Sequence, residues 1–288
     1  MNAIITFANG FEFCRNPYFQ VFLKSIKTSH FQGDVIIFTQ DMDESIRKII
    51  TAYGYQVVDV DVSNVRYLLI DRFQIYHEFL CDKKYDGVLL ADSKDVYFQD
   101  DPFEYLKKDR HVLLCGEGGK HTNNEWNVLD QLKCQDELSS QYHRDTAERP
   151  ILNAGFIMGT NHEVADLCLM VWLNTLRTKH KFTDQAALNY LYHFLEKDPA
   201  YEVLTPQDSV FCATGQGINQ GWFQADWRDG MLYHKTLGAP YAAFHQWDRT
   251  QYKRDILQAV GLHVPKEEKP VMPEMRPAAF EKPTILFK

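Results

Sequence analysis

The chain has 288 residues, 45% of them hydrophobic and 14% aromatic, enough apolar material for one large α/β domain or two small ones with a substantial core. Its formal net charge is −8 and it has no cluster of Lys and Arg, which excludes a surface built to neutralise nucleic-acid phosphates. The six cysteines (Cys14, Cys81, Cys115, Cys134, Cys168 and Cys212) form no CxxC pair, which excludes zinc-ribbon and thioredoxin-type sites and reads as mostly reduced, buried thiols.

Met1 to Thr6 enters an apolar run without a charged leader, and no stretch reaches about eighteen uninterrupted apolar residues, so a cytoplasmic protein is expected. Ala3 to Ala8 is the first predicted strand. Pro17 to Thr28 has apolar positions at helical spacing, and Asp34 to Thr39 reads as a buried strand. Asp43-Glu44 opens a helix to about Ala52. Tyr55 to Val60 is a third strand, Arg66 to Leu80 a helix and Asp86 to Leu90 a fully buried strand. This alternation is the pattern of βαβ units in a mostly parallel sheet. His111 to Cys115 reads as a strand, and Gly116 to Arg149 as a long functional loop with helical pieces. Ile151 to Met158 is a strand, followed by helices over about His162 to Thr178 and Thr183 to Phe194, and by short strands near Val203, Val210 and Ala243. From Pro265 onward the chain is rich in Pro, Lys and Glu, which opposes a packed element.

Four segments carry chemistry. In Val88 to Phe98 an apolar strand ends in Asp92 and Asp95, at the place where open α/β sheets bind ligands. Their hard oxygen donors suit Mg²⁺ or Mn²⁺ bridging the phosphates of a nucleotide; a strand-end turn capped by Asp92 is the alternative. Asn153-Ala154-Gly155 puts an amide and two small residues at the mouth of another apolar strand, as close backbone approach to a ligand or a glycine bulge would require. In Thr183-Asp184-Gln185 either of the first two residues can cap a helix, while Asp184 and Gln185 offer partners to sugar hydroxyls. His245 ends a short apolar run, where its imidazole is either structural or a third metal ligand, and Arg249 follows as a phosphate partner or a salt-bridge cation.

In order and spacing these segments resemble the GT-A glycosyltransferases, in particular the glycogenin and lipopolysaccharide galactosyltransferase group, over about Ala3 to Arg249. The resemblance implies that Asp92, Asp95 and His245 hold Mn²⁺ or Mg²⁺. It also implies that Thr6, Ala8 and Asn9 line the nucleoside, that Arg72 reaches the donor from its helix, and that Asn153, Asp184 and Gln185 surround the transferred sugar, with Gln185 beside the anomeric carbon. Lys94 and Arg249 then add positive charge near the phosphates. In the family's acidic motif a single residue usually separates the aspartates, whereas Ser93 and Lys94 both intervene here, so either the turn is one residue longer or Asp95 alone binds directly. The Asn-Ala-Gly and Asp-Gln pair resembles retaining members. An inverting enzyme needs a carboxylate base, for which Glu117, Asp130 and Glu148 lie in the right region.

Two other classes compete. A sugar-phosphate nucleotidyltransferase normally has a Gly-rich loop after the first strand, and Ala8 to Glu12 offers one glycine; the Gly116–Gly119 and Gly215–Gly217 groups read as loops. A non-catalytic carbohydrate-binding protein has no need of metal ligands at strand ends. The expectation is an α/β fold of GT-A type over residues 1–262, with a mixed, mostly parallel central sheet flanked by helices, then a tail over 263–288. Its partners would be a nucleotide-sugar donor, UDP-linked by resemblance, and a glycan or lipid-linked acceptor, in a setting such as cell-surface polysaccharide synthesis. Trp222, Phe223 and Trp227 are candidate stacking rings in a 213–229 loop, and Phe280, Ile285, Leu286 and Phe287 are candidates for peripheral membrane contact by the tail.

Overall fold

The computed structural model describes residues 1–10, 16–40, 42–61, 67–106, 111–121, 148–176, 183–212 and 214–262. Strand β1 (Ala3–Phe7) is followed by helix α1 (Pro17–Thr28). The start of α1 is set by Asn16, whose side chain accepts from the Tyr18 N–H, and by Pro17, whose missing N–H costs nothing at the first helical position. β2 (Asp34–Thr39) leads to α2 (Glu44–Ala52), capped by Asp43 on the Ser45 N–H, and then to β3 (Gln56–Asp59), α3 (Leu68–Cys81), β4 (Val88–Ala91) and β5 (Val96–Phe98). β6 (Val112–Lys120) and β7 (Pro150–Gly159) precede α4 (Asn161–Asn174), α5 (Asp184–Leu195), β8 (Tyr201–Leu204) and β9 (Phe211–Cys212). The chain continues through the short α6 (Gln216–Asn219), β10 (Ala225–Arg228), β11 (Met231–His234), β12 (Ala243–His245) and α7 (Lys253–Ala259).

The main sheet has seven strands in the order β3-β2-β1-β4-β7-β6-β8. It is parallel except at β7, which runs antiparallel to both β4 and β6. Because β7 alone is reversed, its first residues lie beside the carboxyl ends of β4 and β6: Phe156 opposes Ala91, and Leu152 opposes Gly116. One edge of the sheet therefore gathers two strand ends and one strand beginning.

Alternation along β1 sorts the core onto the two faces. Ile4 packs with Phe19, Phe22 and Ile26 of α1, whereas Ala3 and Ile5 pack with Phe73, Tyr76 and Leu80 of α3 and with Val164 and Val171 of α4. A third apolar cluster, with Trp247, Tyr241, Phe244 and Leu232 at its centre, joins the small β5-β12-β9 sheet, the β10-β11 hairpin and α7. The Gln99 amide holds the hairpin in place through the Leu232 and Tyr241 carbonyls and the Leu232 N–H. Among the described residues no helix is long and apolar enough to cross a membrane.

The predicted elements of the first hundred residues match the fold to within a few residues, and three readings further along need correction. Residues 116–120 are not loop but the end of β6: the glycines hide the period of two, and pairing with β7 through irregular register keeps them in the sheet. Residues 225–228 of the supposed 213–229 loop form one strand of the hairpin. The helix expected to reach Thr178 ends at Asn174. β5 and α7, too short for a periodic signal, went unpredicted. Residues 122–147 and the 263–288 tail lie outside the described residues.

Candidate active site

The site grows from the turn after β4. The Thr6 hydroxyl donates to the Ala91 carbonyl at 2.7 Å, the Asp92 N–H donates to the Gly155 carbonyl at 2.9 Å, and the Ser93 hydroxyl donates to the Phe7 carbonyl at 2.8 Å. These bonds pin the turn to β1 on one side and β7 on the other. The extra residue is absorbed within it, and Val96 then pairs with His245 of β12. Donor atoms of Asp92, Asp95 and His245 consequently lie within 4.8 Å of one another. His245 Nε2 is 3.2 Å from Asp95 Oδ1 and 3.7 Å from Asp92 Oδ2.

Two carboxylates and one imidazole make a donor set that fits Mn²⁺ or Mg²⁺. The space beside them supports that fit. A Cβ on Gly155 would stand 2.5 Å from Asp92 Oδ2 and 2.6 Å from His245 Cε1, so a hydrogen is all that β7 can present there. Burial by itself would lower the His245 pKa, but the Asp95 carboxylate beside it, together with Asp92, raises it overall. Burial likewise pushes Asp92 up, and the Arg72 guanidinium, with help from His245, more than reverses this, so Asp92 stays ionised below the usual carboxylate range.

Arg72, which composition alone would allow to be a surface charge, is buried on α3. Its Nη1 donates to Asp92 Oδ1 at 2.5 Å and its Nη2 to Asp184 Oδ2 at 3.1 Å. One guanidinium thus links the metal-type ligands to the first residue of α5. Burial raises the Asp184 pKa, with Arg72 opposing. Thr183 occupies the N-cap position of α5 without making a side-chain cap bond.

A second polar group sits on the same sheet edge. Glu117, near the end of β6, accepts from Asn153 Nδ2 at 2.9 Å and from Gln185 Nε2 at 3.0 Å, both through Oε1. Asn153 in turn accepts the Gly155 N–H through Oδ1 at 2.8 Å. Glu117 entered the sequence reading only as one of three candidate bases. Its partners stand 36 and 68 residues away, and no local spacing connects them. Of the other two candidates, Glu148 is exposed and pairs with Lys120, and Asp130 lies outside the described residues.

Burial raises the Glu117 pKa, opposed by the two amides. A raised folded-state pKa in an acid means that its contribution to stability is complete below the unfolded-state value and is lost as pH rises through the folded one. Glu117→Gln is therefore expected to melt above wild type near neutral pH, by a margin that closes at about pH 4. Thermal denaturation of both proteins across this range measures it, and a margin that does not change with pH would contradict the shift.

The other predicted residues are less central. Thr6 and Ala8 are fully buried, and Asn9 accepts the Gln40 N–H at 2.8 Å. Lys94 Nζ lies 5.7 Å from the centre of the Tyr18 ring, and the half-exposed Arg249 side chain reaches 3.9 Å from Asp95 Oδ2. Phe223 is buried, whereas Trp222 and Trp227 are partly buried against the third cluster. The Trp222 ring lies directly on Gly119 of β6, where a Cβ would come within 2.6 Å of it. Of the cysteines, Cys115 and Cys168 are buried free thiols and Cys81 is an exposed one.

No protein-family model and no curated protein sequence matches this chain. Its fold is similar to solved structures. An active-site Gln-to-Glu mutant of LgtC, a lipopolysaccharide galactosyltransferase, matches with a TM-score of 0.56 and 15% identity, over 92% of this chain and 98% of that one. The apo form of mouse xyloside xylosyltransferase 1 matches with a TM-score of 0.49 and 10% identity, over 85% and 97%. With its seven-stranded, mostly parallel central sheet flanked by helices, the chain has the GT-A fold.

Proposed function

We propose that this protein is a metal-dependent glycosyltransferase that moves a sugar from a UDP-linked donor to a glycan or lipid-linked acceptor. The observation that carries the reading is the meeting of Asp92, Asp95 and His245 at the carboxyl edge of a GT-A sheet, next to a buried ring of sugar-compatible polar groups. Bound there, Mn²⁺ or Mg²⁺ would supply Lewis-acid stabilisation of the departing diphosphate.

In this reading Asp92, Asp95 and His245 are the protein's ligands, and Arg72 keeps Asp92 ionised and aimed. Lys94 and Arg249 border the same turn and add positive charge on the phosphate side. The nucleoside lies over the end of β1, where the buried Thr6 and Ala8 offer backbone rather than side chains and Asn9 closes the edge. Asn153, Asp184 and Gln185 surround the transferred sugar. Gln185 is the glutamine of this cluster, as the substituted active-site residue of the LgtC structure is a glutamine, and the resemblance of the Asn-Ala-Gly and Asp-Gln pair to retaining members favours retention of anomeric configuration. The acceptor approaches past Trp222, whose partly exposed ring is suited to stacking on a sugar face. Trp222→Ala is expected to raise the acceptor KM about tenfold with donor affinity unchanged, a split that steady-state kinetics reads directly.

Thermal shift and donor hydrolysis across UDP-, GDP-, CMP- and dTDP-sugars, with Mn²⁺ or EDTA, test the whole reading. A UDP-sugar at about 100 times its Kd should stabilise the protein by about 2.7 kcal/mol, a rise of roughly 5–10 °C for a domain of this size. The rise should require Mn²⁺ and be absent in Asp95→Ala. Silence from every sugar nucleotide would sink the proposal, and binding without turnover would leave a carbohydrate-binding protein in its place.

A further inference from the structure

A histidine that holds a metal through one ring nitrogen is ordinarily oriented by a hydrogen bond from the other, to a carboxylate, a carbonyl or water. His245 Nε2 faces Asp95 and Asp92, yet its buried Nδ1 has no hydrogen-bond partner among the described residues. That leaves the backbone that carries the ring, and the packing around it, to set its direction.

Upstream, the backbone is fixed in β12, where His245 pairs with Val96. Downstream stands Gln246, in the left-handed region at φ 56° and ψ 34°. A residue other than glycine keeps that conformation only where its surroundings enforce it. Here a neighbouring segment does so. The buried Thr214 hydroxyl donates to Gln246 Oε1, and the Gly215 N–H donates to the His245 carbonyl at 2.9 Å. Gly215 lies so close that a Cβ there would come within 2.2 Å of the Gln246 carbonyl oxygen. Glycine at 246 would adopt the turn freely, but it has no side chain for Thr214 to hold. The left-handed step takes the chain out of β12 into a 3₁₀ turn over Trp247–Arg249. Arg249 thereby returns to the carboxylate that His245 faces: His245 Nε2 lies 3.2 Å from Asp95 Oδ1, and Arg249 Nη2 lies 3.9 Å from Asp95 Oδ2.

We propose that Gln246 is a positioning residue whose left-handed turn, locked by Thr214, aims His245 and Arg249 at the two oxygens of Asp95. The proposal rests on the metal reading of the trio. Neither Gln246 nor Thr214 has to touch the ion; they act through the backbone on either side of the ligand.

Mn²⁺ affinity by paramagnetic resonance, measured beside the melting temperature, tests this. Thr214→Val keeps the shape and removes the hydroxyl, and should weaken Mn²⁺ binding about tenfold, whereas Thr214→Ser keeps the hydroxyl and should bind within about twofold of wild type. Gln246→Gly should lose about tenfold as well. The double variant Thr214→Val, Gln246→Gly should lose no more than Gln246→Gly alone, because the two residues act through one bond. Wild-type Mn²⁺ affinity in Thr214→Val and Gln246→Gly, whatever their melting temperatures, overturns the assignment and leaves the pair a structural one. Additive losses in the double variant, or a loss in Thr214→Ser as large as that in Thr214→Val, overturn it too. Wild type that binds no Mn²⁺ overturns the metal reading and the assignment with it. If Thr214→Val does not fold, Thr214→Ala removes the same hydroxyl and carries the same comparison.

Discussion

Gly155→Ala is expected to weaken divalent-cation binding strongly in a protein that still folds. Gly155 has no positive φ, so alanine is compatible with the backbone of β7, and the obstacle is space alone. The new methyl would enter at 2.5 Å from Asp92 Oδ2 and 2.6 Å from His245 Cε1. Neither neighbour is a flexible chain end. Asp92 is held by Arg72, and His245 is 3% exposed within the β12 strand. Overpacking of this kind costs about 1–3 kcal/mol, and displacing a functional group by about 1 Å costs about a hundredfold in activity. Mn²⁺ affinity measured by paramagnetic resonance should therefore fall by about a hundredfold, with a far-ultraviolet circular dichroism spectrum like that of wild type. Wild-type Mn²⁺ affinity in Gly155→Ala would remove this trio as the metal site.

Arg72→Met should be the most destabilising single change in the cluster. The guanidinium bonds Asp92 and Asp184 together, and its removal leaves the buried Asp184 and the part-buried Asp92 without the cation they share. Removing one partner of a buried ion pair costs about 3–5 kcal/mol, here roughly 10 °C in melting temperature. The pH dependence has a definite sign. In wild type the lowered Asp92 pKa contributes stability that is present above the ordinary aspartate value and lost as pH falls through the folded one. Arg72→Met lacks that contribution, so the gap between the two proteins should be widest near neutral pH and shrink as pH falls below about 4 and Asp92 takes up its proton in wild type too. Adding Asp184→Asn should restore part of the loss at neutral pH. A gap that stays constant with pH would show that Arg72 acts through packing and not through charge.

The two changes probe different properties of one arrangement. Gly155→Ala leaves the charges in place and closes the space between them, whereas Arg72→Met keeps the space and removes the charge that balances it. If both behave as expected, the site depends on β7 approaching the ligands closely and on α3 neutralising them.

Much of this molecule was readable in one dimension, because the signals are local. Asn16-Pro17 starts α1 and Asp43 starts α2 through hydrogen bonds that span two residues, and the apolar runs of β1, β2 and β4 need no partner to be recognised. As candidates, Asp92, Asp95, Asn153, Asp184, Gln185 and His245 were legible for the same reason: each stands near an end of a strand or helix. The weak points were local as well. Glycines at 116, 118 and 119 carry no alternation, so the end of β6 looked like loop.

Folding in three dimensions settled how these residues are partnered. That two intervening residues still bring Asp92 and Asp95 to one imidazole follows from hydrogen bonds to β1 and β7, strands that lie 85 and some 60 residues from the turn. That Arg72 is a buried bridge depends on α3 and α5 meeting across a separation of 112 residues. That Glu117 belongs with Asn153 and Gln185 depends on β7 running against its neighbours. Side-chain identity and local periodicity are inscribed along the chain; the pairing of charges across a sheet edge is a property of the packed state, where burial makes each partner necessary to the other.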